Sequence, residues 1–129
     1  MVVRSAEQIL RDAKTIAVVG ASPRPAKPSH GVAAYLERVG YRVLRVNPLC
    51  SEESYWPSLA LLEEPVDLVD VFRRPEFCAD VAREAAAIGA PALWLQLGIR
   101  SQEARIVAEA SGMDYVENAC TAIVHRNLG

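Results

Sequence analysis

The chain has 129 residues, 51% of them hydrophobic and 23% charged, the size and balance of one globular domain that buries its core without disulfide or metal staples. A net charge of −2 excludes general affinity for a polyanion, so no nucleic-acid partner is expected, although a local basic pocket stays open. Cys50, Cys78 and Cys120 form no CxxC pair, the N-terminal stretch MVVRSAEQILRDAK is charged throughout, and no run approaches the ~20 apolar residues of a membrane span. The expectation is a cytoplasmic protein with no zinc site, no disulfide framework and no membrane partner.

Ser5 and Gln8 have capping-box spacing, and Ala6, Ile9, Leu10 and Ala13 then share one face, which predicts a helix over residues 5–14 packed against the edge of a sheet. Residues 15–19, TIAVV, are a continuous apolar run ended by Gly20, the pattern of a strand buried on both faces. After the polar loop ASPRPAKPSH, Val32, Tyr35, Leu36 and Val39 recur at helical spacing and Gly40 ends the helix. Residues 41–46 form the second strand, stopped by Asn47-Pro48. The stretch LCSEESYWP reads as a connection to a short helix, SLALLEE.

Residues 66–72, VDLVDVF, form the third strand; its alternation puts Asp67 and Asp70 on opposite faces, which suits a place near the sheet margin. Pro75 opens a helix whose apolar face is Cys78, Val81, Ala82, Ala85 and Ile88. Residues 92–97 form the fourth strand, Ser101 caps the next helix, and residues 113–116 form the fifth strand before one or two helical turns over 121–126. Strands alternating with helices define a single α/β domain over residues 1–129, a Rossmann-like three-layer fold with a mostly parallel five-stranded sheet in the expected order 3-2-1-4-5. Ligands of such sheets bind beyond the C-terminal strand ends, where the order reverses, expected between strands one and four.

The residues just past the strands should therefore share one crevice. Gly20 and Ala21 let backbone approach a ligand, Ser22 and Ser29 offer hydroxyls, Arg24 and Lys27 offer charge, and the helix start at His30-Gly31 offers free N–H groups and a positive dipole end. Phosphate suits that set, while three prolines between residues 23 and 28 equally suit a rigid surface connection. A dinucleotide is disfavoured: GxGxxG is absent, and the second strand ends in Arg45, Asn47 and Pro48 rather than an acidic residue. NADP keeps only Arg42 or Arg45 as anchors.

The segments IAVVGASPRPAKPSHGVAAYLERVGYRVLRVNP, VDLVDVFRRPE, ALWLQLGI and, after Cys120, AIVHRNL together resemble the small single-domain CoA-binding protein family, itself similar to the CoA-binding domain of the succinyl-CoA synthetase alpha subunit. The resemblance implies coenzyme A or acyl-CoA as ligand. It implies Gly20, Ala21, Ser22 and Arg24 against the phosphates, helped by Lys27, Ser29 and His30. Asn47 and Pro48 would flank the adenosine end, Phe72 and Arg73 the nucleotide or pantetheine path, and Gln96, Gly98 and Ile99 the opposite wall. The family usually carries a longer, glycine-containing second loop, where this chain has Glu52 and Glu53.

Cys120, following the fifth strand, is placed where a thiol ligand would end, and a mixed disulfide with CoA is one expectation for it; a small half-buried residue is the other. His30 sits at a helix start, where the dipole disfavours a protonated imidazole, His125 lies in a terminal segment with no recognisable acidic partner nearby in sequence, and nothing resembles a Ser-His-Asp, HExxH or P-loop lysine pattern. The expectation is a binding protein without catalysis of its own, working alone, as a homodimer or with a partner protein. An NADP- or other nucleotide-dependent enzyme and an interaction protein with a degenerate crevice remain the alternatives.

Overall fold

The computed structural model describes residues 3–128. Helix α1 (Ala6–Asp12) leads into β1 (Thr15–Val19), followed by α2 (Pro28–Arg38), β2 (Arg42–Val46), β3 (Tyr55–Trp56), a 3-10 turn at Leu59–Leu61, β4 (Leu68–Val71), α3 (Pro75–Ala87), β5 (Ala92–Leu95), α4 (Gln102–Ala110), β6 (Asp114–Val116) and α5 (Thr121–Arg126). All strand pairs are parallel, in the order β3-β2-β1-β4-β5-β6. The Rossmann-like parallel sheet is the one the sequence implies, with six strands instead of five.

The added strand is Tyr55–Trp56, inside the stretch read as a connection. Two residues carry no alternation to read, and its pairing with Arg45 and Val46 is set by the sheet edge. It takes the outer place beside β2, so the 66–72 segment becomes β4 and lies beside β1, where the order reverses. The margin position inferred from Asp67 and Asp70 is corrected accordingly: every residue of β4 is buried. Asp67 sits just outside the strand and its carboxylate accepts from the backbone N–H groups of Lys14 and Thr15, both at 2.9 Å.

Alternation along the strands feeds two cores. Ile16, Val18, Leu68 and Trp94 face α1, α2 and α5, while Ala17, Val19, Val69, Val71, Leu93 and Leu95 face α3 and α4. Ser5 Oγ accepts from Gln8 N at 3.1 Å, as the capping box requires, but α1 lies on a face of the sheet and not at its edge, because Ile9 and Leu10, each 1% exposed, join the cluster around Ile16 and Leu36. Trp94 is fully buried and its indole Nε1 donates to Ala119 O at 2.8 Å, so the ring anchors the chain leaving β6.

Two features at the C-terminal ends of β1 and β4 shape everything above them. Gly20 has φ +87°, and a Cβ there would stand 2.3 Å from Phe72 O, so only glycine lets the two strand ends come together. Asp70 is wholly buried and, among the described residues, has no cation beside it; burial pushes its carboxyl up to about 7, against the lowering effect of hydrogen bonds from Gln96 and Thr121.

Gly20→Ala should lower stability by roughly 2–4 kcal/mol in chemical denaturation followed by circular dichroism, through both the clash and the left-handed backbone. Because the folded chain holds the Asp70 proton to about 7 whereas the ordinary value is 3.8, its penalty is absent below about pH 4, grows as pH rises to about 7, and is complete above that. Asp70→Asn should therefore gain on the parent by on the order of 2–4 kcal/mol between pH 4 and pH 8 in denaturation titrations. A difference in stability that stays flat across that range would show that Asp70 titrates normally.

Candidate functional site

Beyond the C-terminal strand ends lies one open cleft of about 1060 Å³, at the upper end of small-molecule pockets. Its position follows from the topology: α2 leaves β1 towards one side and α3 leaves β4, parting the two loops where the strand order reverses. Of the residues selected from sequence, Gly20, Ser22, Arg24, Lys27 and Ser29 line it on the β1 side, Asn47 on the β2 side, and Phe72 and Arg73 on the β4 side. Gln96, Ile99 and Cys120 line the far wall, above β5 and α5.

Four selected residues do not line the cleft. Ala21 is 1% exposed and packs into the core. His30 turns its Nδ1 to Ser22 O at 3.1 Å, and since a carbonyl only accepts, Nδ1 carries the proton and braces the loop from behind. Pro48 is exposed outside the lining. Gly98 stands in a left-handed turn with φ +85°, its N–H donating to Asn118 Oδ1 at 2.8 Å. Gly98 therefore shapes the wall through its turn.

The loop after β1 is held by two bonds to the end of β2 and one within itself. Gly20 N donates to Val46 O at 2.8 Å, Asn47 Nδ2 to Ala21 O at 2.8 Å, and Arg24 N to Ser22 Oγ at 3.1 Å. Asn47 Oδ1 meanwhile accepts from Leu49 N at 2.9 Å, so this side chain is a brace with both ends occupied. Helix α2 begins at Pro28 with no side-chain cap, and Lys27, Pro28 and Ser29 bring its first turn to the cleft. Pro28 has no N–H and His30 N donates to Lys27 O at 3.0 Å, so the Ser29 N–H and the positive dipole end of the helix are what this turn offers the space.

The electrostatics are one-sided. Arg24, Lys27, Arg73 and Arg74 all line the cleft and, among the described residues, none is in an ion pair. The Arg73 guanidinium rests over the Phe77 ring at 4.6 Å, which stabilises it without neutralising it. Of the two carboxylates in the second loop, Glu52 reaches the lining, beside Cys50, and Glu53 does not. The arginines left as anchors for a 2′-phosphate are engaged elsewhere: Arg45 grips Glu37 at 2.7 and 3.0 Å, and Arg42 grips Glu64 at 2.9 and 3.0 Å.

Sequence reasoning missed two of the three residues of the apolar rim. Leu49, Leu97 and Ile123 line the cleft at 94, 64 and 46% exposure; Leu97 is expected there from its place after a strand, whereas Leu49 and Ile123 carry no signal until the loops are assembled. Asn118, expected at the crevice from its place after the fifth strand, adopts φ 56° and ties the β6 loop to the β5 loop. Cys50 and Cys120 are partly accessible thiols on the cleft, whereas Cys78 is buried with its thiol pushed up to about 11. His125 lies away from the cleft, its Nδ1 2.8 Å from Tyr35 Oη. Among the described residues no group of three or more His, Cys, Asp or Glu is placed to hold a metal, and no helix is long and apolar enough to cross a membrane.

Comparison with known proteins agrees with this arrangement. The chain is 35% identical over 122 residues to the uncharacterised protein YneT of Bacillus subtilis, covering 92% of this chain and 90% of that one. A Thermus thermophilus structure, cell-free ID.343, superposes with a TM-score of 0.91 at 39% identity over 98% of this chain and 100% of its own. A hypothetical protein from Pyrococcus horikoshii OT3 does so with a TM-score of 0.91 at 32% identity, over 97% and 92%. The sequence pattern of the CoA binding domain matches residues 14–126, nearly the whole alternation of strands and helices that builds the cleft, and the chain belongs to that family.

Proposed function

We propose that the protein binds coenzyme A, free or acylated, in the cleft at the C-terminal strand ends. One observation carries this reading: unpaired cations gather on the loops after β1 and β4, with the start of α2 beside them, while Leu97, Ile99 and Ile123 lie beyond β5 and β6. A ligand with phosphates at one end and a long, weakly polar arm at the other fits that gradient. From β2 to β6 the sheet has four strand spacings, about 19 Å at ~4.8 Å each, room for such a molecule laid across the strand ends.

In this reading the Gly20–Ser22 backbone, Arg24, Lys27 and Ser29 receive the phosphates, with Ala21 and His30 holding the loop in shape. Asn47 and the exposed Leu49 flank the adenosine, with Pro48 between them turned outside the cleft. Phe72 and Arg73 border the path of the arm, Gln96, Gly98 and Ile99 form its far wall, and Cys120 stands near the thiol. In this reading the protein holds its ligand without converting it, and neither histidine serves as a base in the cleft: His30 is tied to Ser22 and His125 to Tyr35. The NADP reading loses its support, since Arg42 and Arg45 already have carboxylate partners. The same reading makes the protein cytoplasmic, with its three cysteines as thiols.

Titration calorimetry with CoA, acetyl-CoA, NADPH and ATP tests the proposal. CoA and acetyl-CoA should bind at least about tenfold more tightly than the other two. Heat with NADPH or ATP and none with millimolar CoA would overturn it. Ser22→Glu should abolish CoA binding by placing a negative charge in the phosphate loop, with an unchanged circular dichroism spectrum. An unaltered Kd in that variant would remove the loop from the site.

A further inference from the structure

Gln96 lines the cleft at 3% exposure, yet all its side-chain hydrogen bonds run through one atom. Its Nε2 donates to Asp70 Oδ1 at 2.7 Å and Oδ2 at 2.9 Å, and lies 2.8 Å from Thr121 Oγ1. Thr121 Oγ1 in turn donates to Asp70 Oδ2 at 3.0 Å. Asp70 and Thr121 are both 0% exposed, so this cluster is sealed beneath the cleft floor.

An amide carries its nitrogen and oxygen on opposite branches of one planar group. An ionised carboxylate only accepts, so it selects the nitrogen and turns the oxygen away. Among the described residues no hydrogen bond is made by Gln96 Oε1, and no buried side-chain polar atom lacks a partner. This oxygen is therefore accessible, and the accessible side of Gln96 is the cleft.

We propose that Asp70 is a positioning residue, which locks the Gln96 amide so that its carbonyl oxygen accepts a hydrogen bond from an amide N–H of the ligand's pantetheine arm. The assignment rests on the CoA reading and adds to it a donor requirement at a stated atom. Gln96 follows β5, on the far side of the phosphate loops from Asn47 and Leu49, so the part of the ligand above it is the arm. The arm's donors there are amide N–H groups. Asp70 itself never touches the ligand. Its burial without a cation is what makes its demand for donors strong enough to fix the amide.

The test compares CoA with adenosine 3′,5′-bisphosphate, which lacks the arm, by calorimetry at pH 8, where Asp70 is ionised. Gln96→Leu removes the acceptor. Asp70→Asn sets an N–H against Gln96 Nε2 or Thr121 and releases the amide to turn. Each variant should bind CoA about five- to tenfold more weakly and the bisphosphate within about twofold of the parent. A merely structural role for Asp70 would alter both ligands alike or neither, and thermal unfolding at pH 8 confirms that the variants are folded. If Asp70→Asn keeps the parent's ratio between the two ligands, the positioning role is overturned and the CoA reading stands. If the parent binds neither ligand, the CoA reading itself fails and the inference goes with it.

Discussion

The closeness of two strand ends governs this molecule. Gly20 lies against the carbonyl of Phe72 with no room for a methyl group between them, and the backbone N–H of Phe72 donates to Val19 O at 2.8 Å. β1 and β4 can run side by side to their last residue only on that condition, and the chain then leaves them in opposite directions. The opening left above is the cleft. Its cationic loops, its uncapped helix start and its apolar far wall are consequences of which segments happen to leave those two strands and their neighbours.

The floor of the cleft shows a tension between folding and binding. A carboxylate in the centre of a sheet, flanked by Val18 and Trp94 and reached only by an amide and a hydroxyl, works against stability at neutral pH. An apolar residue of similar size would pack there without a desolvation cost. What the carboxylate supplies is direction: it decides which end of Gln96 looks upward. Asn118 and Asn47 act in the same spirit on the backbone, each spending its side chain on a neighbouring loop so that the rim keeps its shape.

Much of the scaffold was legible because burial writes periodicity. TIAVV could hardly be anything but a strand covered on both faces, and Ser5 with Gln8 announced α1 with its cap. Pro75 at the first turn of α3 likewise followed from proline's fixed φ. Tyr55–Trp56 was not legible, since two residues hold no period and their pairing is decided by β2. Asp70 misled for a related reason: polarity at one position of a strand reads as exposure, and only the side chains arriving from β5 and α5 make burial tolerable. The crevice residues on loops directly after strands were identified by place alone. The partners of Arg42 and Arg45, and the rim residues Leu49 and Ile123, required three dimensions.

Helix α2 begins on Lys27 and Pro28 with no side chain turned back to its first N–H groups. Pro28 brings no N–H and His30 N donates to Lys27 O at 3.0 Å, so of the first turn only the Ser29 N–H is without a partner among the described residues. The turn is thus closed by the chain itself but for one donor, and an anion resting there would add its hold to a structure already nearly complete. In the CoA reading, occupied and empty molecules differ in how often this turn opens, so resistance to proteolysis within residues 22–31 would report whether the cleft is filled.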